Sequence, residues 1–157
     1  MTMRVGIGLD AHAFEDGVPL VLGGVHFESS RGLAGHSDGD VVTHALIDAL
    51  LGAAGLGDIG TLFPSDGSTP RGISSLELLT DALWRVREAG HSVVNADCIL
   101  VGEEPRIADR RAEMQSVLSD IVGAAVTVRA TTTDRLGFTG RGEGLASMAV
   151  ALVDSES

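Results

Sequence analysis

Asp10 and His12 stand one residue apart in RVGIGLDAH, and His44 shares only Asp48 as an ionisable neighbour in the apolar run Val41–Leu56. These are the residues whose types and spacing could do chemistry. One carboxylate and two imidazoles suit a tetrahedral divalent ion such as Zn²⁺ with one position left open, and an open position lets a metal polarise a phosphoryl oxygen. Residues two apart in an extended segment point to the same side, so Asp10 and His12 converge. His44 and Asp48, four apart, lie on one helical face, with Asp48 placed to orient the His44 imidazole. A plainer reading makes His12 a strand-end cap, His44 a satisfied core histidine and Asp48 an exposed helical acid. The spacing alone does not decide whether residues 12 and 44 meet.

Anion-binding groups form a second set. His36 and Ser37 fall at the expected N-terminus of that helix, where free N–H groups and the helix dipole favour phosphate. Gly60–Pro64 and Thr131–Thr133 add N–H and hydroxyl donors, and Asp58 sits in the turn Gly-Asp-Ile-Gly. Arg106 after Pro105, and Arg141 between two glycines, are cationic points. The three threonines equally fit plain β-propensity at a strand end. Nucleophilic chemistry finds little support. Cys98 lies mid-strand as a small hydrophobe, and the nucleophile elbow, the phosphate loop and a complete dinucleotide fingerprint are all missing.

The elements that must position these groups read as one domain over residues 1–157. A formal charge of −11 argues against a nucleic-acid scaffold, although a metal or a few arginines can still hold a small polyanion. A single Cys excludes an intrachain disulfide. No apolar run reaches the roughly 20 residues needed to span a bilayer, and no signal-peptide core is seen, so a soluble, cytoplasmic protein is expected. The pattern predicts a short strand at Arg4–Leu9 and hairpin strands around Gly23-Gly24. A half-buried helix should begin near Asp38, with Ser37 and Asp40 as its capping pair. Gly55–Gly60 ends it, leaving Asp58 in a loop. An amphipathic helix over Ser75–Ala89, a strand over Ser92–Val101, and a helix from Pro105 to Ile121 stopped by Gly123 come next. Strands at Val126–Thr133 and Leu145–Val153 flank a glycine-studded loop, Gly137–Gly144. Consecutive strands at both ends imply an α+β fold: a mixed β-sheet with helices packed on one face.

Four segments together, Asp-Ala-His at 10–12, GHSDGDV at 35–41, HALIDALLGAAGLGDIG at 44–60 and TTTDRLGFTGRGEG at 131–144, closely resemble the 2-C-methyl-D-erythritol 2,4-cyclodiphosphate synthase family. The resemblance runs from about Arg4 to Val153. It implies a phosphorus–oxygen lyase of the non-mevalonate isoprenoid pathway, a homotrimer with active sites between subunits. Its substrate would be 4-diphosphocytidyl-2-C-methyl-D-erythritol 2-phosphate, whose 2-phosphate attacks the β-phosphate, closes the ring and releases CMP. By the same resemblance Asp10, His12 and His44 hold Zn²⁺, and Asp134 holds a Mg²⁺ or Mn²⁺ that meets the diphosphate. His36 and Thr132 match positions that stabilise the transition state. Asp10, His12, His36, Ser37, Asp58, Ile59, Gly60, Phe63, Thr131, Thr132, Thr133 and Asp134 match substrate-binding positions. Gly102, Pro105, Arg106, Ile107 and Ala108 match the segment that holds the cytidine end from the adjacent subunit. Phe138 and Arg141 match positions lining a central trimer cavity associated with isoprenoid diphosphates.

The chain departs from the family pattern in places. Asp134 stands where Glu is commoner, Arg135 and Arg106 where Lys is, and Ser65 where an Asp is often found, which weakens a substrate contact at that loop. Arg106 keeps the charge with a different geometry. Two other readings use the same residues: a metal-dependent phosphatase or nucleotide hydrolase, and a catalytically silent metal- and nucleotide-binding trimer. Intact His36, Thr132 and Asp134 speak against the silent one.

Overall fold

The computed structural model describes residues 2–155. Its first strand, β1 (Thr2–Asp16), runs further than the expected Arg4–Leu9 and carries Asp10 and His12 well inside it. The hairpin β2 (Leu20–Leu22) and β3 (Val25–Phe27) forms around Gly23-Gly24 as the turn chemistry predicts. A short β4 (Arg31–Leu33), not read from the sequence, pairs antiparallel with the far end of β1. With β5 (His91–Val101), β6 (Ala125–Thr131) and β7 (Gly144–Ser155), it completes a five-stranded sheet of order β4-β1-β7-β5-β6. Only β5 and β6 pair in parallel, so the sheet is mixed, as expected.

One helix dominates the covered face. α1 (Val41–Ala54) lies so close to β1 that a methyl group at Gly6 would overlap the Ala49 carbonyl, and one at Gly8 the Ala45 carbonyl. Both glycines are therefore packing requirements, since helix backbone meets strand backbone with no side chain between. A half-buried helix was expected; the structure buries it around nearly its whole circumference. The sheet covers one side and α3 (Ser75–Glu88) another, which explains a sequence apolar in every direction. α4 (Arg111–Val122) packs beside β6 and α3.

Two helix starts differ from the sequence reading. α1 begins at Val41, not near Asp38, because Gly39 has φ +74°, outside the helical path. Asp40 alone is the cap, and Ser37 is turned elsewhere. Fully buried Asp40 accepts from Thr43 N–H (3.1 Å) and its hydroxyl (2.7 Å), and from the N–H groups of Gly23 and Gly24 (2.8 Å each). It therefore ties the hairpin to the helix. α4 starts at Arg111 rather than Pro105. Ile107 drops into the core and Arg110 N–H closes a turn on the Ile107 carbonyl, which holds this segment out of helix. Two single-turn helices, α2 (Ile59–Leu62) and α5 (Gly137–Gly140), occupy stretches expected to be loops.

The opposite face of the sheet is bare. Val5, Ile7 and Leu9 on β1 are 69%, 65% and 64% exposed, and Met148 and Val150 on β7 lie beside them in register. Among the described residues no helix is long and apolar enough to cross a membrane.

Candidate metal and substrate site

β1 and α1 bring Asp10, His12 and His44 together. Asp10 Oδ2 lies 2.7 Å from His12 Nε2 and 3.0 Å from His44 Nδ1, and the two nitrogens are 3.1 Å apart. Ligand bonds of about 2.1 Å in a tetrahedron put neighbouring donor atoms about 3.4 Å apart, so the trio needs only a slight opening to hold such an ion. It is the one convergent group of three His, Cys, Asp or Glu residues among those described. Burial raises the Asp10 carboxyl, but hydrogen bonds and charge from His12 and His44 outweigh it and hold it at about 2. Burial lowers the His12 ring, yet the Asp10 contact and a hydrogen bond to the Ala34 backbone raise it above its ordinary value. A divalent ion at the trio would bind in competition with protons on the imidazoles.

Around the trio is a cleft of about 160 Å³ also lined by His36, Ser37, Ile59, Gly60, Phe63, Ser65 and Thr69. His36 is fixed by donating from Nε2 to the Thr69 carbonyl (2.6 Å). Further hydrogen bonds, Gly72 N–H to the His36 carbonyl (2.8 Å) and Asp38 N–H to the Ile73 carbonyl (3.2 Å), lash residues 69–73 to the turn before α1.

Asp48 is corrected. Its carboxylate accepts from Ile59 N–H at 2.8 Å and does not touch His44. The acid one turn below His44 was captured by the backbone of the following loop, so it holds Ile59 and Gly60 at the cleft rim. His44 Nε2 instead faces two hydroxyls, Ser75 Oγ at 2.8 Å and Ser37 Oγ at 2.9 Å. The sequence marks Ser75 only as a helix start, and Asp38, its partner, only as the point near which the first helix should begin. Asp58 caps α2, accepting from Thr61 N–H and hydroxyl at 2.8 Å each.

The remaining predicted residues sit elsewhere. Ala11, Ala146, Val101 and Thr131 form one row across β1, β7, β5 and β6. Three inter-strand steps of about 4.8 Å place Thr131 about 14 Å from β1. Thr132 and Asp134 make a turn beyond β6, with Asp134 N–H on the Thr132 hydroxyl (3.3 Å). The Thr133 hydroxyl is spent on the Leu136 carbonyl (2.7 Å). Pro105, Arg106 and Arg141 line a wider cleft of about 770 Å³ with Arg31, Arg135 and Glu103. Arg141 is paired there with Glu143. Phe138 is exposed on α5, and Gly102 and Ala108 flank the 103–107 turn. Ile107 is a second correction: its side chain is core, which leaves only its backbone for a ligand. Burial pushes the Cys98 thiol up to about 12, in keeping with the small hydrophobe expected there.

Fold and cleft together define a single-domain α+β protein with an Asp/His/His group that could hold a metal ion beside a small recess. The chain belongs to the YgbB family, whose model matches residues 3–154. It is 53% identical over 155 residues to the 2-C-methyl-D-erythritol 2,4-cyclodiphosphate synthase of Alkalilimnicola ehrlichii, covering 96% of this chain and 94% of that one. The Acidothermus cellulolyticus synthase is 51% identical, with 96% and 93% covered. Among solved structures, the bifunctional IspDF of Campylobacter jejuni aligns with a TM-score of 0.94 at 40% identity, over 99% of this chain and 43% of that longer one. A 2C-methyl-D-erythritol-2,4-cyclodiphosphate synthase in its CDP-bound form gives 0.87 at 35%, over 96% and 100%. The resemblance read from the four motifs is borne out.

Proposed function

We propose that the chain converts 4-diphosphocytidyl-2-C-methyl-D-erythritol 2-phosphate to 2-C-methyl-D-erythritol 2,4-cyclodiphosphate with release of CMP, within the non-mevalonate isoprenoid pathway. The observation that carries this is the convergence of Asp10 Oδ2, His12 Nε2 and His44 Nδ1 at a recess lined by His36, Ser37 and Gly60, in a chain of this family. A 2-phosphate oxygen bonds to the β-phosphorus, the bond from that phosphorus to the CMP oxygen breaks, and no water is consumed. Such a transfer asks for alignment and neutralised oxygens rather than a nucleophilic side chain, in line with the inert Cys98.

Asp10, His12 and His44 would hold Zn²⁺, which when bound supplies Lewis-acid polarisation of a phosphoryl oxygen. Asp134 would hold Mg²⁺ or Mn²⁺ together with substrate oxygens, having no companion ligands among the described residues. His36, kept in place by Thr69, and Thr132 would stabilise charge at the transferring phosphorus. Asp48 keeps the Ile59–Gly60 rim at the substrate.

A homotrimer accounts for two features at once. The bare face of Val5, Ile7, Leu9, Met148 and Val150 is an apolar patch that a neighbouring copy would cover. The gap of about 14 Å between the His12 end of β1 and Thr131 suits a substrate whose cytidine end rests on Pro105 and Arg106 of an adjacent subunit, as the CDP-bound relative encourages. An isoprenoid diphosphate in the trimer's central cavity has less behind it, since Arg141 is already engaged by Glu143.

Incubating the protein with the diphosphocytidyl substrate and Mn²⁺, followed by mass spectrometry, should yield the cyclic diphosphate and CMP in equal amounts. Linear products or inorganic phosphate would turn the assignment to a hydrolase.

A further inference from the structure

We propose that Glu103 is a positioning residue: it holds the turn Thr132–Arg135 in the conformation that sets Thr132 and Asp134 at a fixed place beside Pro105 and Arg106. This rests on reading Asp134 as a cation ligand and the Pro105–Arg106 segment as the nucleotide seat. The turn needs holding. Asp134 (φ +52°) and Arg135 (φ +67°) are consecutive non-glycine residues in the left-handed region, the only such residues among those described. An L side chain is crowded there, and such a pair persists only where its surroundings over-determine it.

Some of the restraint is local. Asp134 N–H reaches the Thr132 hydroxyl (3.3 Å) and Leu136 N–H the Thr133 carbonyl (3.0 Å). α5 returns so closely that a methyl group at Gly140 would overlap the Arg135 carbonyl carbon. The long-range restraint is Glu103, whose Oε1 accepts Arg135 N–H at 2.9 Å from 32 residues earlier in the chain. A carboxylate taking a backbone N–H makes a strong, charge-assisted bond. Here it falls on the residue that must keep a left-handed path. Because it meets backbone, it acts whatever side chain residue 135 carries. Glu103 is itself well anchored. Gly102 N–H donates to the Thr131 carbonyl (3.0 Å), and a methyl group at Gly102 would overlap the buried Leu145 side chain. Just beyond it, Pro105 and Arg106 line the same wide cleft as Arg135. The carboxylate thus clamps the turn after β6 to the segment after β5, and a ligand bridging the two meets both at one fixed separation.

Cytidine diphosphate, titrated calorimetrically into the zinc-loaded, full-length protein with and without Mn²⁺, reads that separation. Mn²⁺ should tighten binding, since the cation joins the diphosphate to Asp134. Glu103→Ala should cut this Mn²⁺-dependent gain about tenfold, with the metal-free affinity nearly unchanged. Glu103→Gln keeps an accepting oxygen at the same reach and should retain most of the gain. Asparagine visits the left-handed region readily, so Arg135→Asn added to Glu103→Ala should recover part of the loss. Three results overturn the proposal: a Glu103→Ala protein with the full Mn²⁺ gain, a Glu103→Gln protein as weak as Glu103→Ala, or a double variant that recovers nothing. Asp134→Ala tests the reading underneath. If that variant keeps the Mn²⁺ gain, the cation assignment falls and the proposal with it, whatever the Glu103 variants do.

Discussion

The two clefts are built in opposite ways. In the narrow one, Asp10 and His12 are locked by strand alternation, His44 by a helix in backbone contact with that strand, and His36 by a loop carbonyl. Every chemical group there has its geometry set within the chain. The wider cleft is lined by exposed arginines on turns, Arg106, Arg135 and Arg141, with pairing limited to exposed acids. On the proposed function, the chain would carry the reacting end of its site finished and the recognition end as a surface for a neighbouring copy to complete.

Experiments on the two clefts should therefore diverge. The largest effect is expected from His12→Ala or His44→Ala, which should abolish stoichiometric zinc and lower CMP release at least about 1,000-fold, given the several kcal/mol a polarising metal supplies. Metal analysis beside a turnover assay checks this. Next comes Gly8→Ala, which never touches substrate but forces α1 off β1. A loss of about 3 kcal/mol or more, read by chemical denaturation, is expected together with weaker zinc binding.

The ligand-free narrow cleft should also show itself in acid. Asp10 is held at about 2 against an ordinary 3.8, so the folded state binds fewer protons than the unfolded chain between those values. Its stabilisation is in force above 3.8 and disappears as pH falls through about 2, on the order of 2 kcal/mol. His12, raised above 6.5, contributes in the opposite sense: its share is complete below 6.5 and fades as pH climbs through the raised value. Denaturation of Asp10→Asn across pH should flatten the acid limb, and a slope equal to wild type would contradict the pairing.

For the wide cleft, Arg106→Ala should raise KM about tenfold with kcat and zinc content nearly unchanged, the signature of uniform binding lost. The smallest change is expected at Arg141→Ala. Its ion pair with Glu143 is solvent-exposed, so melting should shift by less than about 1 kcal/mol of stability.

What could be read from the sequence follows the same division. Alternation along β1 gave Asp10 and His12 a common side, and an ionisable His44 in an apolar run marked its helix, because both are local periodicities. Asp48 failed for a physical reason: helical spacing says which residues share a face but not which neighbour arrives there first, and the Ile59 N–H claimed the carboxylate. Ser75 and Asp38 were invisible because their meeting depends on where a 37-residue excursion returns. Pro105 misled in another way, since a residue favoured at a helix start is equally at home in the turn that sends Ile107 into the core.

One strand carries a final consequence. In Val5-Gly6-Ile7-Gly8-Leu9, residues with no side chain alternate with bulky ones, the former under α1 and the latter on the open face. Sliding β1 by one residue against β7 would drive Val5, Ile7 and Leu9 into the backbone of the helix. The mispaired sheet is thus excluded by steric overlap and not merely disfavoured by exposure. Folding fidelity, and with it the alignment of Asp10 and His12 to His44, is written into five residues as a choice between one register and none.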